Sequence, residues 1–310
     1  MTLPQSVLLC DALEIAALNF PRPLSVTDLS RLFFPGQDWE KPPEPSDASP
    51  NAKLRDALGL ARARWTACGD AYPFDVSDRS IKAKDIKGFD PYLFLLLGRG
   101  LNFGGPSQAD ALLRGFRKYF EDVVCWAMRR AGFVAEVLSE PRDKRGLPVK
   151  LAPALRELLK RFGAAAVLLE SKLDPHDNDL DVDVLAVPLR GNAKRGGWPV
   201  FLIQCATGAL RDLQAKVDGG ASTFGSVWDS GFPEESSVRV GATPDDLLIL
   251  PNNHWNRLCL AGWILDRTRI VFLASGAGGV LLPDDVSSFW VELWAARRDI
   301  DWQTGWQQTG

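Results

Sequence analysis

Asp183 stands at the mouth of a strongly apolar run, Val184-Leu185-Ala186-Val187, and that junction constrains the chain more than any other feature. A short β-branched run of this kind reads as a core strand. A carboxylate on its rim is costly unless it is paired or binds a cation. The segment leading to it, ESKLDPHDNDLDVD at 170–183, holds six carboxylates: Glu170, Asp174, Asp177, Asp179, Asp181 and Asp183. Counted from Asp177, the sixth and twelfth positions of a calcium loop hold Val182 and Pro188 instead of Gly and Glu, which excludes an EF-hand. Asp174, Asp177 and Asp179 read as a solvated acidic turn. Side-chain alternation is expected to put Asp181 and Asp183 on the same face. Two oxygen ligands there suit Mg²⁺, a hard ion.

The next apolar strand, Val200-Phe201-Leu202-Ile203, runs into Gln204-Cys205-Ala206-Thr207-Gly208. A lone strand glutamine commonly bonds nearby backbone. On a strand beside Asp183, its carbonyl oxygen could instead complete a metal cradle. Other chemistries are poorly supplied. The 310 residues include two histidines, His176 and His254, and five scattered cysteines without a CxxC pair, so a His/Cys zinc site is disfavoured. Neither a GxSxG elbow nor a GxxxxGK[ST] loop is present. Chemistry must then rest on carboxylates, amides and lysine.

The rest of the chain suggests two parts. Residues 1–105 read as a helical N-terminal module, with helices over 1–20, 25–34 and 51–68 and a Pro-rich connector at 35–50. Such a module could be a winged helix that reads DNA or a helical cap. Residues 106–310 read as an α/β domain: a mixed central sheet flanked by helices. Helices are expected at 110–131, 152–163, 209–220, 254–266 and 287–302. Strands are expected at 133–140, 164–171, 181–189, 197–208, 245–253 and 267–276. No run approaches the roughly 18–20 apolar residues that span a bilayer. The N-terminus lacks the basic start of a signal peptide, so a cytoplasmic location is expected.

Asp183 at a strand edge, an amide on the next strand and a helix after it resemble the PD-(D/E)XK nuclease superfamily, over roughly residues 108–275. Glu121 in RKYFEDVVCWAMRRAG is similar to the family's helix glutamate, and Asp183 in DVDVLAV to its strand aspartate. Gln204-Cys205-Ala206 stands where the Glu-x-Lys strand would be, with Gln in place of Glu and Ala206 in place of the lysine. Family members can move that lysine to the following helix, where Lys216 in ALRDLQAKVDGG is the replacement. The resemblance implies a restriction-endonuclease-like fold and a metal-dependent endonuclease acting on DNA in prokaryotic restriction or anti-phage defence. It implies Asp183, Gln204, Glu121 and Asp181 as ligands of Mg²⁺, with Mn²⁺ as an alternative, and Lys216 as the residue that orients the attacking water. The alternative is an inactive fold that serves as a nucleic-acid- or protein-binding subunit. An ATPase or other defence-system subunit and a second copy of the chain are candidate partners.

Overall charge is only −3, but residues 111–160 hold eleven Lys/Arg against six Asp/Glu. Arg114, Arg117, Lys118, Arg129, Arg130, Arg142, Lys144 and Arg145 form this basic stretch. Beside an acidic cradle it could grip phosphates.

Overall fold

The computed structural model describes residues 4–35, 49–101, 108–162, 168–173, 180–188, 199–208, 213, 215, 226–228, 237–247 and 262–302. The chain divides into two compact units: residues 1–117 with 244–251 and 284–310, and residues 118–243 with 252–283. A single cut near residue 105 therefore does not describe the division. The first unit reclaims a short stretch after residue 243 and the C-terminal helix.

In the first unit, α1 (Gln5–Leu18) is buried from Val7 onward, as a helix apolar on nearly every side must be. β1 (Leu24–Ser25) leads into α2 (Val26–Phe33), whose Ser25 and Asp28 form a reciprocal capping box. α3 (Pro50–Cys68) starts on Ser49, which accepts the Ala52 N–H, with proline in the first turn. β2 (Phe74–Val76) and β3 (Ser80–Ala83) complete a three-stranded antiparallel sheet in the order β1-β3-β2. The module is thus not purely helical. Its strands are two to four residues long, too short to show a period of two in sequence. The apolar run after Asp90 is a helix, α4 (Pro91–Gly100), capped by the Asp90 carboxylate on the Leu93 N–H. A Cβ at Gly98 would lie 2.0 Å from the Phe116 ring, so glycine permits that close approach.

A buried charge cluster holds this unit together. The Arg64 guanidinium is 0% exposed. Its Nη1 lies 2.8 Å from Asp11 and 2.9 Å from Glu14, and its Nε bonds Asp246. Tyr72 and Tyr92 donate their hydroxyls to Glu14 at 2.6 and 2.9 Å. Burial and the Glu14 charge push the Tyr72 phenol well up, so it stays a donor. Asp245 pairs with Arg99. Residues 245–247 are therefore not the start of a strand, and 248–253 lie outside the described residues.

The second unit takes α5 (Gln108–Arg130) from Lys118 onward. Phe120, Val123, Val124 and Ala127 give it a buried stripe at helical spacing. The five-stranded sheet has the order β4-β5-β6-β7-β8, with β4 (Phe133–Val137), β5 (Val184–Pro188) and β6 (Val200–Cys205) antiparallel. β7 (Ser237–Ala242) and β8 (Trp263–Leu265) continue it in parallel. Parallel neighbours require a crossover connection. α6 (Leu151–Phe162) packs Leu155, Leu158 and Leu159 into a core with Leu185, Val187 and Leu202.

Two expectations here are corrected. The helix expected through 254–266 gives way to strand β8 at its C-terminal end, and the strand expected at 267–276 is helix α7 (Arg267–Ala274). Asp266 accepts the Arg269 N–H and so starts α7, a cap that outweighs the β-branched content of RTRIVF. β7 was hidden because Arg239 and Gly241 dilute the apolar signal of Val238 and Val240. Leu168 makes only an isolated bridge to Trp228, and 163–167 lie outside the described residues. The last helix is α8 (Asp284–Ala296). Among the described residues, no helix is long and apolar enough to cross a membrane.

Replacing Arg64 by alanine leaves buried carboxylates without their cation. It should lower unfolding stability by about 3–5 kcal/mol. Urea denaturation followed by far-UV circular dichroism measures this, and a loss below about 1 kcal/mol would contradict a tightly paired interior cluster.

Candidate metal centre

β5 and β6 pair in the register Val184↔Ile203, Leu185↔Leu202 and Ala186↔Phe201. Asp183 directly precedes the last pair of this ladder on one strand, and Gln204 directly follows it on the other. The Asp183 N–H donates to the Ile203 carbonyl at 3.0 Å, and the Asp183 carbonyl accepts the Leu138 N–H at 2.8 Å. Asp183 is therefore held by backbone bonds from both neighbouring strands. Its carboxylate then accepts the Cys205 N–H at 2.6 Å. The side chain ends the β5–β6 ladder in place of a backbone acceptor.

Gln204 is only 7% exposed. Its Nε2 donates to the backbone carbonyl of Asp181. A carbonyl can only accept, so the nitrogen of this amide must face Asp181 and the oxygen must face away. That oxygen, Oε1, is buried and has no hydrogen-bond partner among the described residues. An unpartnered buried acceptor is costly and calls for a donor or a cation. The bond to nearby backbone expected of a strand glutamine is therefore present at the nitrogen end of its amide.

Glu121 comes from α5. Its Oε2 accepts the Ser139 hydroxyl. Burial first, and the nearby Asp183 charge second, push its carboxyl up to about 8, against the opposite pull of Ser139 and Arg145. The second of these causes places Glu121 within electrostatic reach of Asp183. The structure thus brings three of the sequence-selected residues, Glu121, Asp183 and Gln204, to one region at the end of inner strands β5 and β6. All three supply oxygen.

Asp181 differs from expectation. Strand β5 begins only at Val184, and Leu180 and Asp181 are left-handed, with φ of 57° and 58°. Alternation therefore does not extend back to place Asp181 beside Asp183. Its side chain is exposed, and its carbonyl is the group that orients Gln204. Lys216, Asp174, Asp177, Asp179, His176 and His254 lie outside the described residues. Among the described residues, no set of three or more His, Cys, Asp or Glu side chains forms a metal-ligand group. The cradle seen here consists of two carboxylates and an amide.

Much of the basic stretch is committed internally. Arg142 is buried and bonds the carbonyls of Leu138 and Val149 at 2.8 and 2.7 Å. Arg145 grips Asp122 with two bonds of 2.9 and 3.0 Å and the Ser139 carbonyl at 2.7 Å. Arg129 holds Ala135 and Glu136, and Arg130 the Ala274 carbonyl. Lys118, Lys144 and Lys150 remain exposed on this unit. Sequence reasoning missed Ser139 and Asp122. Their only signal was local, a hydroxyl just past a strand and a second acid beside Glu121.

The elevated Glu121 carboxyl has a stability consequence. Between its ordinary 4.5 and about 8, the folded chain keeps a proton that the unfolded chain has released. In metal-free buffer, stability contributed at this site therefore falls as pH rises through that window. Glu121→Gln cannot titrate and removes the fall. The melting temperature of the variant should gain on that of the wild type from pH 5 to pH 8, whereas a constant difference across that range would contradict the buried, proton-holding carboxyl.

No protein-family model, curated protein or solved structure matches the chain.

Proposed function

We propose that the chain is a Mg²⁺-dependent endonuclease that hydrolyses DNA phosphodiester bonds, of the PD-(D/E)XK type. The observation that carries this reading is the buried Oε1 of Gln204, without a hydrogen-bond partner among the described residues, at the end of the β5–β6 ladder where Asp183 also stands, with Glu121 in electrostatic reach. Two carboxylates and an amide oxygen fit a hard divalent ion, Mg²⁺ or Mn²⁺, and offer nothing soft. The order helix, three antiparallel strands and then a parallel strand also supports the reading, because it brings the helix glutamate and the two strand residues together.

Asp183, Glu121 and Gln204 would hold the ion. When bound, such an ion polarises the scissile phosphate and makes water acidic enough to attack at neutral pH. Asp183 is fixed by the Cys205 N–H. Gln204 is turned by the Asp181 carbonyl so that its oxygen faces the ion. Lys216 would orient the water and take or steady its proton, in the place that buried Ala206 leaves without a cation. Lys144 and Lys150, exposed beside the Ser139 loop, would meet backbone phosphates. The antiparallel β1-β3-β2 sheet among α1, α2 and α3 supports a winged-helix reading of the N-terminal module over a plain helical cap. A place in prokaryotic restriction or anti-phage defence, with an ATPase or other subunit as partner, belongs to the same proposal.

The wild-type chain should nick supercoiled plasmid in Mg²⁺ or Mn²⁺ and stay inactive in EDTA. Asp183→Ala should reduce nicking to background while the protein still folds. Equal activity in Asp183→Ala would remove the proposal. Metal-independent DNA retention with no nicking by the wild type would favour the binding-subunit reading suggested by Ala206.

A further inference from the structure

One dipeptide touches both acidic residues of the cradle, Asp183 through its main chain and Glu121 through its carboxylate. The Leu138 N–H donates to the Asp183 carbonyl at 2.8 Å, and the next residue, Ser139, donates its hydroxyl to Glu121. Ser139 is nearly buried. Its position is set by arginines from the loop that follows. Arg145 donates to the Ser139 carbonyl at 2.7 Å, and Arg142 donates to the Leu138 carbonyl at 2.8 Å. Arg145 also closes a two-bond fork on Asp122, the residue after Glu121 on α5. One guanidinium therefore ties the helix carrying Glu121 to the loop carrying its hydrogen-bond donor.

We propose that Ser139 and Arg145 are positioning residues for the metal cradle: Arg145 locks α5 to the 138–145 loop, and Ser139 aims the Glu121 carboxylate toward Asp183. The inference rests on the reading of Glu121, Asp183 and Gln204 as ion ligands, and it adds what holds two of them in register. The geometry supports the role on two counts. A planar fork fixes both distance and orientation, which a point charge cannot do. A hydroxyl on a ligating carboxylate selects which of its oxygens faces the ion, and partners of this kind tune metal affinity. Neither residue needs to touch substrate.

The test uses the full chain and Mn²⁺ as probe. Calorimetric titration of wild type, Ser139→Ala, Arg145→Ala and Arg145→Lys is paired with plasmid nicking over a range of Mn²⁺ concentrations. Ser139→Ala removes a single oxygen, and a far-UV circular dichroism spectrum matching the wild type at the titration temperature guards against a simple folding defect. Both alanine variants should bind Mn²⁺ about 10-fold or more weakly and need correspondingly more Mn²⁺ for half-maximal nicking. Arg145→Lys should not restore affinity, because an ammonium cannot hold Asp122 with two bonds while reaching Ser139. If the wild type binds Mn²⁺ and both alanine variants bind within about twofold of it, the positioning role is overturned and the cradle stands. If the wild type gives neither Mn²⁺ binding nor nicking, the cradle itself is overturned, and the positioning role with it.

Discussion

Two carboxylates, Asp183 before inner strand β5 and Glu121 on α5, come within electrostatic reach of each other, and much of the local geometry there follows from how they are held. Like charges in such a place cannot both remain ionised without help. In the absence of a cation the Glu121 carboxyl keeps its proton toward pH 8, with burial as the main cause and Asp183 as the second. Asp183 cannot move away, because its backbone is bonded to both neighbouring strands and its side chain is bonded to Cys205. The buried amide oxygen of Gln204, without a hydrogen-bond partner among the described residues, stands at the same end of the β5–β6 ladder. The proposed ion would relieve both the repulsion and the unmet acceptor.

The first unit provides a contrast. It too buries several carboxylates, Asp11, Glu14 and Asp246, but there the chain supplies its own cation in Arg64 and two tyrosine donors to Glu14. That cluster sets opposite charges against each other, and its plain consequence is stability. In the second unit Arg145 is engaged by Asp122 and by the Ser139 carbonyl. It moderates the charge on Glu121, with which it forms no ion pair among the described residues. The two acidic groups thus differ in how their charge is met: by a buried guanidinium in one unit, and in the other by a raised carboxyl on Glu121.

Sequence made the central part of this legible because the signal was one of contradiction: a carboxylate fused to an apolar strand, and a glutamine at the end of the next. The long helix of Glu121 and strands β4, β5 and β6 were equally visible, since each carries an apolar period of its own. What stayed hidden depended on single side-chain bonds or on neighbours far away in sequence. The Asp266 cap turns RTRIVFLA into helix α7 against its β-branched content. Strands β1 to β3 are too short to show a pattern and exist through one another. Arg142 and Arg145 look like solvent-facing charge in a run of letters, yet their partners lie on the adjoining loop and on α5. Composition cannot distinguish a guanidinium that meets phosphate from one that holds a loop.

The turn before Asp183 shows why the misplaced alternation of Asp181 matters. Two consecutive non-glycine residues in the left-handed region cost on the order of 1–3 kcal/mol each. They persist because Leu180 and Val182 on either side of Asp181 are buried in the core against α6, which leaves Asp181 at the surface between two anchors. This turn directs the Asp181 carbonyl at Gln204, and the bond it accepts sets which end of the amide is nitrogen. Had the strand continued back through residue 181, Asp181 would have added a third carboxylate to that face, deepening the repulsion already lifting Glu121. The bent backbone instead contributes a neutral acceptor that orients another neutral acceptor. The acidic segment therefore shapes the cradle through its main chain as well as through its charge.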